Sequence, residues 1–121
     1  MIDTIKYKDI RFTDSFNCSS FVKRVLSDNG KSCPIDFIDH KDKQEITESF
    51  IDNRPLFEKT NSPRDFDLVY LKTGFNKRHL GLFFEPNFIY HLPRDGSPLM
   101  QKIKSEVKNQ IIGFYKLKKD A

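Results

Sequence analysis

Cysteine and histidine are the residue types of this sequence that could together carry out nucleophilic catalysis. The chain has two cysteines, Cys18 and Cys33, and three histidines, His40, His79 and His91. A thiol attacks a carbonyl carbon once its proton has been removed, and an imidazole can accept that proton and later protonate the leaving group. The fold must therefore bring one cysteine and one histidine together.

Cys18 stands where a helix is predicted to begin. Apolar residues recur at helical spacing from position 18 to about 29, Asn17 is a favourable N-cap, and Gly30 is typical of the position after a helix end. The first-turn amides and the helix dipole lower the pKa of a thiol, and the same amides, including that of Cys18, can hold an oxyanion. The alternative is a buried core thiol, because Cys18 shares the apolar face of this helix.

Cys33 has a different setting, in the loop-like segment Lys-Ser-Cys-Pro after Gly30. A core of this size does not need a disulfide, and the spacing of the two cysteines does not suit a zinc site. We therefore expect two independent thiols, with no metal or other cofactor.

His79 and His91 lie on the two arms of a hairpin predicted over residues 77–84 and 87–92. On one sheet face, one imidazole could accept the thiol proton while the other fixed its tautomer and orientation. The alternative is a pair of half-exposed strand histidines without a catalytic role. His40 lies in a charged segment and is predicted to be solvated.

The length of the hairpin loop decides on which faces these two histidines emerge. With a three-residue loop at 85–87, Phe84 faces Phe88, and the second histidine lies opposite Gly81, one diagonal step from the first. Opposed and diagonal residues share a sheet face, and a glycine leaves room between two rings. A two-residue loop would put the histidines on opposite faces, so the catalytic hypothesis requires the longer loop.

The other elements are predicted from the change of hydrophobic period along the chain. They are an irregular lead-in over 1–17, a second helix over 43–53, a loop over 55–65, strands over 67–71 and 99–104, a helical turn over 105–109 and a closing strand over 111–117. Helices followed by antiparallel strands indicate an α+β fold in a single domain spanning 1–121.

The composition is that of a globular domain, with 37% hydrophobic residues, 12 of them Phe, and 31% charged residues. No apolar run reaches the ~20 residues needed to span a membrane. The N-terminus lacks the plan of a secretory signal, so we expect a chain that is not exported by itself. The net charge of +4 comes from dispersed lysines, which does not favour nucleic-acid binding.

Four segments of the sequence resemble motifs of the NlpC-type, papain-like cysteine peptidases. Residues 17–22, Asn-Cys-Ser-Ser-Phe-Val, are similar to the Asp-Cys-Ser-Gly-(apolar)-Val block that carries the nucleophile. Residues 78–83, Arg-His-Leu-Gly-Leu-Phe, resemble the His-Val-Gly-Ile-Tyr block of the catalytic histidine. Residues 65–71 look like the Gly-Asp-Leu strand, and residues 87–91 like the Phe-Ile-His segment.

This resemblance implies a papain-like fold, with N-terminal helices packed on an antiparallel β-sheet. It implies Cys18 as nucleophile, His79 as base and His91 as the residue that orients the base. Family members also have an upstream tyrosine whose hydroxyl helps to form the oxyanion hole, and Tyr7 is the candidate here. The implied activity is hydrolysis of peptide bonds in bacterial peptidoglycan stem peptides.

The sequence departs from the family pattern at two places near the expected substrate cleft. Ser20 stands where the family has glycine, and residues 8–12 replace a Gly-rich Trp-Gly-Gly stretch. We expect these changes to affect substrate choice and activity.

Compact family members occur in bacteriophage tails. By analogy we expect this chain in the virion, or in the cytoplasm before assembly, with other tail proteins as partners. The alternatives are a non-catalytic tail component with the same fold, and a related amidase or acyltransferase that uses the same Cys/His pair.

Overall fold

A computed structural model describes residues 2–13, 15–31, 57–74, 77–94 and 96–117. Within these ranges the chain forms an α-helix, a single helical turn and six strands. Their bounds, after a 3-10 turn at Ile5–Tyr7, are α1 Cys18–Asp28, β1 Phe57–Thr60, β2 Leu68–Gly74, β3 Lys77–Phe84, β4 Phe88–His91, β5 Leu99–Lys102, α2 Ser105–Lys108 and β6 Ile111–Leu117.

The six strands form one sheet in the order β1-β6-β2-β3-β4-β5, and every neighbouring pair is antiparallel. The predicted α+β class is therefore confirmed. The second predicted helix, over 43–53, lies outside the described residues, so the packing of several N-terminal helices on the sheet stays a prediction. In the described part of the chain, no helix is long and apolar enough to cross a membrane.

The prediction of a loop over 55–65 is wrong for four residues, because β1 lies within it. In β1, Phe57 pairs with Leu117 and Thr60 pairs with Phe114 of β6. The segment Phe-Glu-Lys-Thr has one strongly apolar residue, so it lacks the alternation by which strands are recognised. It forms a strand because its neighbour β6 supplies backbone hydrogen bonds, which a local pattern does not reveal.

The larger core lies between α1 and one face of the sheet, which we call the helix face. On α1, Phe21, Val22 and Val25 have no exposed surface, and they belong to one cluster with Leu80 and Leu82 of β3. The spacing of i, i+1 and i+4 puts these three helix residues on one side, as the sequence predicts. Burial of this stripe stabilises α1 far more than its intrinsic propensity does.

The opposite side of the sheet, which we call the second face, carries a smaller apolar cluster. Successive side chains of a strand point to opposite faces, so the neighbours of the helix-face residues lie here. The buried members of this cluster are Val69, Leu71, Phe83, Ile89 and Ile103, and Val107 of α2 packs against them.

Candidate active site

The hairpin of β3 and β4 has the register that brings the two histidines together. Phe84 pairs with Phe88 across a three-residue loop, which confirms the predicted pairing. The Nε2 atom of His79 lies 2.8 Å from the Nδ1 atom of His91. Their ring centroids are 4.9 Å apart and the rings are inclined at 78°. The histidines therefore share a hydrogen bond on one face of the hairpin.

Gly81 lies between the two histidines in this hairpin and permits their close approach. A Cβ atom at this position would lie 2.7 Å from Cγ2 of Ile89 and 3.1 Å from Cβ of His91. The carbonyl oxygen of Tyr90 would be 3.3 Å away. Any larger residue would push β4 away from β3, so glycine is required by the packing of the hairpin.

The hydrogen-bonded chain continues from His91 to a residue on β5. The Nε2 atom of His91 lies 3.0 Å from Oε1 of Gln101. Ile89 pairs with Gln101 and His91 pairs with Leu99, so Gln101 is one diagonal step from His91 on the same face. Sequence reasoning missed Gln101, because a glutamine within a predicted strand carries no motif. Only the register of β5 against β4 shows that Gln101 lies beside His91.

Burial lowers the pKa of His91 below its usual value, since an imidazolium loses its hydration there. The hydrogen bond with Gln101 acts in the opposite direction but is the smaller effect. His91 is therefore held in its neutral form at neutral pH, and a neutral imidazole can accept as well as donate a hydrogen bond.

Cys18 is the first residue of α1 because Asn17 caps the helix. The Oδ1 atom of Asn17 accepts hydrogen bonds from the amides of Ser19 at 3.0 Å and Ser20 at 3.2 Å. The amide of Asn17 donates in return to Oγ of Ser20, which completes a capping box. Ser20, which departs from the motif glycine, thus contributes to the helix start.

The same cap limits which amides of the first turn can hold an oxyanion. The amides of Ser19 and Ser20 are engaged by the Asn17 side chain, and the amide of Phe21 donates to the Asn17 carbonyl oxygen at 3.0 Å. These three amides are therefore engaged at the helix start itself, contrary to the expectation that they are open to an oxyanion.

Cys18 and the histidines are associated with opposite faces of the sheet. Cys18 is 3% exposed and belongs to the helix-face cluster, together with Leu80. His79 pairs with Leu71, a residue of the second-face cluster, and paired residues share a face. The structure thus brings His79 and His91 together, and it buries Cys18 in the core at the first turn of α1.

Tyr7 is hydrogen-bonded at the opposite end of α1 from Cys18. Its hydroxyl donates to Oδ2 of Asp28 at 2.9 Å, and Lys6 Nζ lies 3.3 Å from the same oxygen. With a rise of 1.5 Å per residue, the Cα atoms of Asp28 and Cys18 are about 15 Å apart along the helix. In this arrangement the hydroxyl of Tyr7 does not reach a carbonyl at Cys18, and it ties the N-terminal turn to the end of α1.

Burial, and then the hydrogen bond to Asp28, raise the pKa of Tyr7 to about 12. The phenol therefore remains a protonated donor at neutral pH. The same hydrogen bond lowers the pKa of Asp28, which favours its carboxylate form. Among the residues that the structure describes, no group of three or more His, Cys, Asp or Glu side chains could hold a metal ion.

The chain matches no model of a known protein family, and a search of curated proteins found no match either. The likeness to NlpC-type peptidases therefore depends on the motif residues and on the contacts that these residues make.

Proposed function

We propose that this protein is a cysteine peptidase that cleaves peptide bonds in peptidoglycan stem peptides. Cys18 is the nucleophile, His79 the base and His91 the residue that orients the base. The observation that carries the proposal is the 2.8 Å hydrogen bond between the two histidines. It occurs in the hairpin register that the motif spacing requires, with Gly81 between the two strands.

The reaction follows from these roles. The thiol proton of Cys18 moves to His79, and the thiolate forms a bond to the carbonyl carbon of the peptide. The C–N bond then breaks, the imidazolium of His79 returns the proton to the leaving amine, and a thioester remains on Cys18. Water, deprotonated by His79, hydrolyses this thioester and restores the free thiol. The His91 ring holds the His79 ring in place throughout.

The orientation of α1 supports a pairing of Cys18 with His79. Leu26, near the C-terminal end of α1, lines a cavity of about 270 Å³ together with Leu68, and Leu68 pairs with Leu82 of β3. The N-terminal end of α1 is therefore directed towards the other end of β3, where His79 lies. The proposal requires Nδ1 of His79, the ring nitrogen that does not face His91, to come within hydrogen-bond reach of the Cys18 thiol at this end of β3.

A backbone feature before β2 gives the motif resemblance further support. Phe66 stands where the Gly-Asp-Leu block of the family has its glycine, and its φ angle is +72°. Glycine adopts this left-handed conformation without a steric penalty, whereas a residue with a Cβ is strained there. The edge-to-face contact of Phe66 with Phe84, at 5.0 Å between centroids, offsets part of that strain.

Delivery by a bacteriophage tail, with other tail proteins as partners, is the second part of the proposal. It follows by analogy from the compact phage members of the family. Pull-down of tail proteins from a phage lysate with this chain as bait would support it, and their absence from the captured material would count against it.

Digestion of purified peptidoglycan tests the catalytic proposal. The wild type and Cys33→Ser should release new stem-peptide fragments, whereas Cys18→Ser and His79→Ala should reduce the rate by about 10³-fold or more. Mass spectrometry of the soluble fragments would identify the cleaved bond. Absence of fragments from the folded wild type, or equal rates for Cys18→Ser and Cys33→Ser, would contradict the proposal.

The burial of Cys18 is the observation that favours the alternative, a non-catalytic tail component that keeps the fold. A core thiol in that protein would react with iodoacetamide more slowly than Cys33 at neutral pH. A nucleophile paired with His79 would react faster than Cys33, and His79→Ala would slow it. The ratio of the two labelling rates, read by mass spectrometry, separates these two functions.

A further inference from the structure

The hydrogen-bonded chain on the second face ends at Gln101, a half-buried residue of β5 that no motif includes. Its Oε1 atom faces Nε2 of His91 at 3.0 Å, and Nδ1 of His91 faces Nε2 of His79 at 2.8 Å. Three side chains from three adjacent strands are thus joined in one line. Which atom donates in each of the two bonds depends on the tautomers of the two rings.

The position of each proton follows from the acceptor at the end of the line. An amide oxygen can only accept a hydrogen bond, so the proton of the first bond is on Nε2 of His91. A neutral imidazole carries one ring proton, so Nδ1 of His91 has a lone pair and accepts from Nε2 of His79. Neutral His79 then carries its proton on Nε2 and its lone pair on Nδ1.

We propose that Gln101 is a positioning residue that sets the tautomer of His79 through His91. Its amide oxygen holds the proton of His79 on Nε2 and thereby makes Nδ1 the basic atom. The catalytic meaning of this tautomer rests on the proposed function, because Nδ1 is then the atom that receives the proton of Cys18. The tautomer itself is a property of the folded protein and can be measured without substrate.

The hydrogen bonds that link His79, His91 and Gln101 also determine where the protons lie when His79 is charged. Once Nδ1 has taken up the thiol proton, Nε2–H continues to donate to His91, and no further proton moves along the chain. The low basicity of buried His91 keeps it an acceptor, because two adjacent imidazolium ions would repel each other. If the Gln101 amide were rotated by 180°, its nitrogen would donate to Nε2 of His91, and each ring proton would lie on the other nitrogen. Nδ1 of His79 would then be protonated and unable to act as a base.

Nitrogen-15 NMR of ring-labelled histidines at pH 7.5 tests the assignment directly, because protonated and lone-pair nitrogens have different chemical shifts. His40→Asn would remove the third histidine from the spectrum. We expect both His79 and His91 to show a protonated Nε2 and an unprotonated Nδ1. Gln101→Leu, which has similar volume and no acceptor, should give a mixture of tautomers, and Gln101→Glu, which keeps an acceptor oxygen, should restore the wild-type pattern.

Kinetics on peptidoglycan give the matching functional result. Gln101→Leu should lower kcat by about 10-fold or more with little change in KM, which is less than the about 10⁴-fold loss known for a group that holds the base directly. Gln101→Glu should recover most of kcat. Thermal melts would confirm that both variants are folded, since loss of packing alone would not be rescued by a charged residue.

The outcomes separate this inference from the proposed function. An inactive wild type that shows the expected tautomers and their loss in Gln101→Leu would overturn the peptidase proposal and support the role of Gln101 in setting the tautomer. An active wild type whose tautomers and kcat are unchanged in Gln101→Leu would overturn the role of Gln101 and support the peptidase proposal. Protonated Nδ1 atoms in the wild type would overturn the inference outright.

Discussion

The two faces of the sheet are built in different ways. The helix face is covered by α1, and its cluster contains aromatic rings in edge-to-face contact, including Phe21 with Tyr90 at 5.1 Å between centroids. The second face has a smaller apolar cluster and, beside it, the line of His79, His91 and Gln101. Apolar burial dominates the first face, whereas directed hydrogen bonds are the distinctive feature of the second.

Under the proposed function, this difference separates the residues that stabilise the fold from those that carry out the reaction. Burial of apolar area is not directional, so a core can stabilise the fold without fixing any one atom to a fraction of an ångström. Hydrogen bonds between rings fix both distance and tautomer but contribute only about 1 kcal/mol each to folding. Substitutions on the helix face should therefore change stability most, and substitutions in the polar line should change activity most.

A matched pair of phenylalanine truncations should show the largest difference in stability between the faces. Phe21→Ala on the helix face should cost about 3–5 kcal/mol, because its ring is fully buried and contacts Tyr7 and Tyr90. Phe83→Ala should cost less, because Phe83 borders an open groove of about 810 Å³ into which its surroundings can relax. Urea unfolding measures both, and an equal or larger cost for Phe83→Ala would contradict the comparison.

A matched pair of glycine substitutions should give an intermediate effect. Gly81→Ala on the second face should cost about 1–3 kcal/mol and separate the two histidines, since the added Cβ would meet Ile89 and the backbone of Tyr90. Gly113→Ala should cost less, because one of its nearest atoms is the flexible end of Lys59, 3.1 Å away. Thermal unfolding gives the free energies. The comparison fails if Gly81→Ala keeps wild-type stability and the wild-type histidine tautomers.

The smallest effect is expected from Tyr7→Phe, which removes the hydrogen bond to Asp28. We expect a loss of about 1–2 kcal/mol and peptidoglycan cleavage within about twofold of wild type. A hydroxyl that stabilised the oxyanion would instead be worth about 10²–10³-fold in kcat. A double-mutant cycle with Asp28→Ala isolates the pair, and additive losses would show that the hydrogen bond does not form in solution.

Local patterns predicted the start of α1 and the hairpin register. Asn17, the apolar stripe after Cys18 and Gly30 act within a few residues of one another, so the sequence contains the whole signal. The hairpin is similarly local, because a three-residue loop sets the pairing of Phe84 with Phe88. The strand at Ile111–Leu117 was predicted with its observed bounds, since five of its seven residues are apolar or aromatic and only Gly113 and Lys116 interrupt them.

Contacts between distant segments were not predicted. β1 lacks a strand pattern and forms because β6 lies beside it. The hydroxyl of Tyr7 donates a hydrogen bond to Asp28, which is 21 positions away in the sequence. Tyr7 therefore attaches the N-terminal turn to the end of α1 and does not lie at the predicted oxyanion hole. Which side of β3 faces α1 also depends on the assembled sheet. The sequence predicted Cys18 and His79 in one site, and this pairing of a helix residue with a strand residue stays a prediction.

The sequence by itself determined where α1 begins, which residue lies at its first position and which histidines the hairpin joins. These are consequences of short-range hydrogen bonding and of the alternation of side chains in a strand. Only the tertiary structure decided that β5 lies beside β4, and therefore that Gln101 meets His91. Strand order is set by the burial of apolar faces over the whole chain. The contact of Gln101 with His91 could therefore not be predicted from the residues next to Gln101 in the sequence.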